Sequence, residues 1–184
     1  MKNLEIVHEE AINEIMELFD LVHIYVQSQG NTMWENGYPN REIFLDDLKK
    51  GAYILRDENT NKIIAYGYVP SSIEEEFFYE TYDHNKVLEL LKYVNCTNPN
   101  QITMARFMVH PDCQRQGIGR YFFNEIDKIY NHPLWLFAVM KLNIPGIRHW
   151  EKEGFTNYGD YDKWEFGEWS DTCVLFAGEL KNRL

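Results

Sequence analysis

The feature that most constrains this chain is the run from Val109 to Tyr130, VHPDCQRQGIGRYFFNEIDKIY. It starts at the end of an apolar, strand-like stretch, passes a proline and two glycines, and continues with helical spacing. The apolar positions of that helix are Ile118, Phe122, Ile126 and Ile129. A glycine-rich turn between a strand and a helix predicts an anion site, because the first helical N–H groups lack intrahelical acceptors and carry partial positive charge.

The local charge supports this interpretation. Residues 113–124 contain Arg115 and Arg120 and no acidic residue, whereas the whole chain has a formal net charge of -11. The run lacks both common nucleotide-binding patterns, since the dinucleotide motif would need glycine where Phe122 stands and no P-loop string occurs. An alternative stays open, in which the glycines only allow close packing of helix on strand and the arginines are solvated.

Composition limits the classes of partner. With 184 residues and 45% hydrophobic side chains, the chain suits one domain, over residues 1–184. Its acidity argues against binding nucleic acid or an anionic membrane. Cys96, Cys113 and Cys173 form no C-x-x-C pair, and the N-terminus has no apolar signal region, so we expect a reduced, cytoplasmic protein without a metal site.

The order of elements predicts an α/β fold of the mixed, α+β kind, with helices on both faces of a mixed sheet. The predicted strands and helices follow in chain order: strand Leu4–Val7, helix Glu9–Gln29, a helix capped by Asn40 and running to Lys50, the hairpin AYILRD/KIIAYGYV, helix DHNKVLELLKYV, strand ITMARFMV, helix 117–131, strand LWLFAVM, a short helix ending at Gly154, and strands Thr156–Phe166 and Thr172–Leu180. The segment ITMARFMV is predicted to form one strand that crosses the sheet.

Two segments resemble signatures of the GCN5-related N-acetyltransferase (GNAT) superfamily. The string Gln114-Arg-Gln-Gly-Ile-Gly119 is similar to the family's [QR]-x-x-G-x-[GA] motif, and the preceding V-H-P lies where its fourth strand ends. The segment from Asn143 to Phe155 is similar to its N-x-x-A-x-x-x-Y-E-K-x-G-F pattern. The resemblance implies a single-domain GNAT-type fold, with a mostly antiparallel sheet of about seven strands splayed between strands 4 and 5.

The resemblance also implies a cofactor site. In the family, acetyl-coenzyme A, a co-substrate, lies between the fourth and fifth strands, and its pantetheine arm pairs with the fourth. The residues that this implies for binding are Met108, Val109, Gln114, Arg115, Gln116, Gly117, Ile118, Gly119, Arg120, Asn143 and Trp150. For Asn143 a second interpretation stays open, as the cap of the helix that starts at Ile144.

The resemblance implies direct attack of an amine on the thioester but leaves the catalytic residues unknown. Trp150 stands where the family often has a tyrosine acid, and an indole N–H cannot usefully protonate a thiolate. Another acid, solvent assistance, an alignment shifted by one residue and inefficient turnover all stay open. His149 should point about 100° away around the helix, and ITMARFMVH contains no glutamate that could act as a base.

The acceptor side is less defined. Trp34, Tyr38 and Tyr79 are candidate substrate-binding residues, although Trp34 and Tyr38 could instead only pack the loop between the first two helices onto the sheet. The cluster of Glu74, Glu75, Glu76 and Glu80 lies where acceptor residues occur in the family, or on a solvated helix face. We expect a small-molecule or peptide amine acceptor, with a cationic one favoured, and a homodimer stays open. The alternative functions are an acyl-coenzyme A-binding module without efficient turnover and a purely structural domain.

Overall fold

The computed structural model describes residues 3–31, 33–34, 36–70, 84–94, 100–160 and 173–181. Within these residues the chain forms five α-helices and eight strands. The elements are β1 Leu4–Ile6, α1 Ile12–Ser28, α2 Arg41–Lys50, β2 Ala52–Arg56, β3 Ile63–Tyr68, α3 His84–Tyr93, β4 Gln101–Ile102, β5 Ala105–Val109, α4 Ile118–Ile129, β6 Leu134–Met140, α5 Ile144–Glu153, β7 Thr156–Asp160 and β8 Cys173–Gly178. This order confirms the predicted mixed fold class.

The first of two compact units comprises residues 1–69 and 104–126. Its sheet is antiparallel throughout, in the order β1-β2-β3-β5. Helix α2 begins as the sequence predicts, because the Asn40 side chain accepts a hydrogen bond from the N–H of Ile43. The core of this unit buries apolar residues of α1, α2 and the sheet, among them Ile15, Phe44 and Tyr66.

The second unit comprises residues 70–103 and 127–184. Its sheet has the order β4-β6-β8-β7, with one parallel pair, β4–β6, and antiparallel pairs elsewhere. Leu134–Phe137 are buried, as expected for an apolar strand covered on both faces, whereas Ala138 is exposed. Helix α5 ends at Gly154, which has the left-handed conformation (φ 99°) that this C-cap favours.

The prediction of one strand over ITMARFMV is wrong. Gln101–Ile102 pairs with β6 in the second sheet, whereas Ala105–Val109 pairs with β3 in the first. Thr103 and Met104, both buried, lie between the two strands. The apolar pattern is the same on both sides of this switch, so periodicity alone could not show that the backbone changes partners.

Two smaller expectations also changed. Ile129 was predicted on the buried face of α4, but it lies in the last turn and is exposed, whereas Ile118, Phe122 and Ile126 are buried. Strand β8 ends at Gly178, two residues before the predicted Leu180. Residues 161–166 of the predicted strand Thr156–Phe166 lie outside the described residues. None of the helices described here has the length and apolar character that crossing a membrane requires.

Gly67 of β3 provides a test of the packing between the first sheet and helix α4. A Cβ at this position would lie 2.9 Å from the Met104 sulfur and 3.0 Å from the Phe122 ring. We expect Gly67→Ala to lower the free energy of unfolding in urea by about 1–3 kcal/mol because the core is overpacked.

Gly119→Ala is the matched control, because its Cβ would meet only the Phe107 ring, at 3.5 Å. In the first turn of α4 the alanine should be neutral or stabilise by up to about 1 kcal/mol. Equal stability of Gly67→Ala and the parent protein would contradict the packing described here.

Candidate cofactor and acceptor sites

Strand β5 contains a β-bulge in its middle. Arg106 and Phe107 lie opposite the single residue Gly67 of β3, between two regular cross-strand pairs. Arg106 is left-handed, with φ 50°, a conformation that costs a non-glycine residue about 1–3 kcal/mol. Bulges of this kind bend a strand and change the direction of its side chains, and they are common beside functional sites.

The backbone of β5 alternates in direction beyond the bulge. The N–H of His110 donates to the carbonyl of Ile64, at 2.8 Å. In an antiparallel ladder this alternation directs the backbone groups of Met108 toward β3 and those of Val109 away from it. Val109 is therefore the better placed of the two predicted residues to offer backbone groups to a bound chain.

The loop after β5 is held by its own side chains. Residues Pro111–Cys113 form a turn of 3-10 helix. The side-chain amide of Gln114 donates to the Val109 carbonyl at 3.2 Å, and that of Gln116 donates to the Asp112 carbonyl at 2.7 Å. The two glutamines of the signature therefore fix the shape of the loop, a role that the motif alone did not reveal.

The start of α4 combines two left-handed residues with an open surface. Arg115 has φ 60° and Gly117 has φ 80°, and both are exposed. A Cβ at Gly117 would meet no atom within 4 Å, so this glycine serves the backbone conformation and leaves the surface above it open. Ile118 is buried and anchors the first turn. Successive N–H groups in such a turn form a concave anion site at the helix N-terminus.

A buried ion pair stands beside the bulge. The guanidinium of Arg106 donates to both carboxylate oxygens of Asp47, from Nε to Oδ2 and from Nη2 to Oδ1, each at 2.7 Å. The Tyr66 hydroxyl donates to the same carboxylate at 2.8 Å, and Arg106 Nη1 donates to the Tyr38 hydroxyl at 2.9 Å. The guanidinium carbon also lies 5.0 Å from the centre of the Tyr68 ring.

Burial sets the protonation of this cluster. Desolvation raises the pKa of the Asp47 carboxyl, while hydrogen bonds from Arg106 and Tyr66 oppose that rise. Desolvation, together with the neighbouring carboxylate, raises the pKa of the Tyr66 phenol far above its ordinary value. Tyr66 therefore stays protonated and acts as a donor.

The sequence contains two signals for this cluster, one on each of its charged residues. Arg106 is the one charged residue within the apolar run ITMARFMV. Asp47 lies on the apolar face of α2, three residues after Phe44 and one before Leu48. A charge at a core position requires a partner, and two such charges in one chain are candidates to pair.

The predicted acceptor residues differ in their surroundings. Trp34 is buried in the core of the first unit, with its ring 5.7 Å from that of Phe19, which supports the packing interpretation. Tyr38 is partly buried and contacts Arg106. Tyr79 and the glutamates at 74–76 and 80 lie outside the described residues.

Two predicted cofactor residues lie in the second unit. The Asn143 side chain caps α5 by accepting from the N–H of Gly146 at 3.1 Å, as one of its two interpretations requires. Trp150 is buried and packs edge-on against Phe137, with the ring centres 5.3 Å apart. A second aromatic contact joins it to Phe155, at 5.9 Å.

Comparison with known proteins decides the family. The model of the acetyltransferase (GNAT) family matches residues 26–155. The chain belongs to the GNAT family. It is therefore an acyltransferase, and the glycine loop described above lies within the part of the chain that matches this family. None of the curated proteins that were compared matches the chain in sequence.

Solved GNAT structures share its fold. A GNAT acetyltransferase from Streptococcus agalactiae is 16% identical with a TM-score of 0.73, and 98% of this chain and 96% of that one are covered. The ribosomal-protein-S18-alanine N-acetyltransferase of Escherichia coli is 13% identical with a TM-score of 0.60, covering 99% and 96%. The PaiA N-acetyltransferase of Thermoplasma acidophilum, in complex with coenzyme A, is 12% identical with a TM-score of 0.65, covering 95% and 98%.

The buried pair in this GNAT chain can be tested against an exposed pair. Asp47→Ala would leave the Arg106 guanidinium buried without its carboxylate, so the free energy of unfolding in urea should fall by about 3–5 kcal/mol. In the control Glu14→Ala, the lost partner of Arg56 is 46% exposed, and the fall should be at most about 1 kcal/mol. Equal losses in the two variants would contradict the importance given to the buried pair.

Proposed function

We propose that this protein transfers an acetyl group from acetyl-coenzyme A to a primary amine of a small molecule or peptide, by direct attack and without an acyl-enzyme. The observation that carries the proposal is the open, left-handed turn at Arg115 and Gly117, at the N-terminus of α4. On this proposal the thiol of Cys113, which precedes the turn, does not act as a nucleophile. On this proposal the chain forms one acyltransferase domain over residues 1–184.

The cofactor contacts that we propose are mainly backbone groups. The pyrophosphate would be bound by N–H groups from Arg115 to Arg120, where the helix dipole and the local excess of arginine favour an anion. The N–H of Gln114, which the sequence also predicts as a contact, donates instead to the Pro111 carbonyl at 3.2 Å. Val109 would pair with the pantetheine arm mainly through its N–H group, which it directs away from β3, because its carbonyl already accepts from Gln114. Asn143 and Trp150 are proposed as further contacts on their motif match alone.

Positioning supplies much of the proposed rate enhancement. Acetyl-coenzyme A would bring the acetyl group as an activated thioester, which a neutral amine can attack. Because amines are mostly protonated near neutral pH, a base or water must first remove a proton. Holding both reactants in line lowers the barrier by several kcal/mol, up to about 7–11 in favourable cases, and strand N–H groups can polarise a carbonyl oxygen.

The proposed acceptor is a cationic amine. The formal net charge of -11 favours the approach of cations. The charge of the Arg106 guanidinium, which contacts Tyr38, is offset in part by the carboxylate of Asp47. Tyr38 is the described residue that we propose as an acceptor contact. Trp34 packs the same loop onto the core of the first unit.

Gly119→Asp tests the anion site. The substitution has room in the ligand-free fold, because a Cβ here meets only ordinary contacts. Its carboxylate would repel the pyrophosphate, so the stabilisation by acetyl-coenzyme A, about 2.7 kcal/mol at a hundred times Kd, should be lost in thermal unfolding. Gly119→Asn, of equal size but uncharged, should keep more of it. Equal stabilisation of Gly119→Asp and the parent protein would contradict the site.

An amine panel tests turnover. The protein incubated with acetyl-coenzyme A and polyamines, amino acids, peptides or amino sugars should release free thiol above the rate of hydrolysis. Release is expected to be fastest with polyamines, because of the acidic charge of the chain. If no amine accelerates release while acetyl-coenzyme A still stabilises the fold, the protein is an acyl-coenzyme A-binding module without efficient turnover.

A further inference from the structure

The bulge in β5 directs two neighbouring side chains to different helices. Arg106 and Phe107 both lie opposite Gly67. The guanidinium of Arg106 contacts α2, whereas the ring of Phe107 packs on two aromatic rings of α4, those of Phe122 and Phe123. The bulge therefore lets one short strand contact both helices through adjacent residues.

The ring of Phe107 extends from the core to the first turn of α4. Its centre lies 5.2 Å from that of Phe122 and 5.2 Å from that of Phe123, and both of these residues are buried. Phe107 itself is only partly buried. The outer edge of its ring faces Gly119, where a Cβ would lie 3.5 Å from Cε1 and 3.6 Å from Cζ. The ring thus connects the buried part of α4 with the turn at which the helix begins.

Strand β5 and the start of α4 each supply one part of the proposed cofactor site. Val109 would pair with the pantetheine arm, and the N–H groups from Arg115 to Arg120 would bind the pyrophosphate. The side-chain bonds of Gln114 and Gln116 hold the strand end and the loop, and both bonds are made before α4 begins. Phe107, by contrast, joins the strand directly to the first turn of the helix.

We infer that Phe107 is a positioning residue that sets the spacing between the two parts of the cofactor site, strand β5 and the N-terminus of α4. The inference rests on the proposed function, because it requires that coenzyme A bridges the two parts. A ligand that bridges two subsites gains affinity from both only where their spacing matches its length. Phe107 acts through the position of the turn and not through the reacting atoms.

Binding of coenzyme A to Phe107→Leu and Phe107→Met, measured by isothermal titration calorimetry, tests this. Leucine keeps an apolar side chain beside the rings of α4 but lacks the counterparts of Cε1 and Cζ, the atoms that face Gly119. Methionine is long enough to reach the turn but too flexible to fix it. Each change should raise the Kd for coenzyme A about tenfold, roughly the effect of losing one hydrogen bond to a charged group.

The two parts of coenzyme A separate an altered spacing from an altered anion site. Pantetheine alone and 3′-phospho-ADP alone each occupy one subsite, so their binding does not depend on the distance between subsites. Their affinities, measured by ligand-observed NMR, should stay within about twofold of the parent values in both variants. Damage to the glycine loop itself would weaken 3′-phospho-ADP as much as coenzyme A.

Ile126→Ala is the matched control. Ile126 is fully buried on the same face of α4, about two turns beyond Ile118. Its truncation leaves a cavity and should lower the thermal unfolding midpoint more than Phe107→Leu does. Because it lies far from the first turn, it should leave the Kd for coenzyme A within about twofold of the parent value.

Each result decides either the inference or the function on which it rests. If the parent protein binds coenzyme A and both Phe107 variants bind it equally well, the inference is wrong while the proposed function stands. It is also wrong if 3′-phospho-ADP weakens by the same factor as coenzyme A, or if Ile126→Ala raises the Kd as much as Phe107→Leu. If the parent protein does not bind coenzyme A, the proposed function fails, and the inference fails with it. Leucine and methionine both keep most of the apolar volume, so the variants should fold.

Discussion

The first unit depends on one buried interaction, the pair between Arg106 and Asp47. Removing two charges from water costs several kcal/mol for each ion, and only close, fully hydrogen-bonded geometry compensates. Both carboxylate oxygens here accept at 2.7 Å from the guanidinium, and Tyr66 adds a third donor. The pair joins helix α2 to strands β3 and β5, so a shift in any of the three would leave a charge unsatisfied.

Strand β5 contributes to two different sites along its length. At the bulge, the side chain of Arg106 turns toward α2 and Tyr38. Three residues later, the carbonyl of Val109 accepts from Gln114 and so begins the glycine loop. Because the bulge inserts one extra residue, it changes the direction of the strand between these two points. Strand β5 therefore positions both the candidate acceptor contact and the candidate anion site.

Local signals predicted most of the elements, and long-range pairings were missed. The Asn40 cap, the hairpin turn and the Gly154 stop are each encoded within a few residues, and all three are present. The signature Gln114–Gly119 was also readable because it is contiguous. By contrast, Arg106 and Asp47 are 59 residues apart, and nothing near either residue specifies the other. The change of sheet between Ile102 and Ala105 was missed for the same reason, because apolar periodicity does not identify the partner strand.

The replacement of the family's usual tyrosine by Trp150 fits an enzyme that relies on positioning. The indole is buried among Phe137 and Phe155, which explains an apolar ring at this place and gives it no acidic proton to transfer. In direct attack on a thioester, the largest contributions can come from alignment of the reactants and from fixed dipoles. Of the alternatives for Trp150, departure of the thiolate with solvent assistance alone would depend most on rigid positioning of both reactants. The Arg106–Asp47 pair fixes one rigid frame of this kind, because its hydrogen bonds join α2, β3 and β5 and offset the cost of the left-handed arginine.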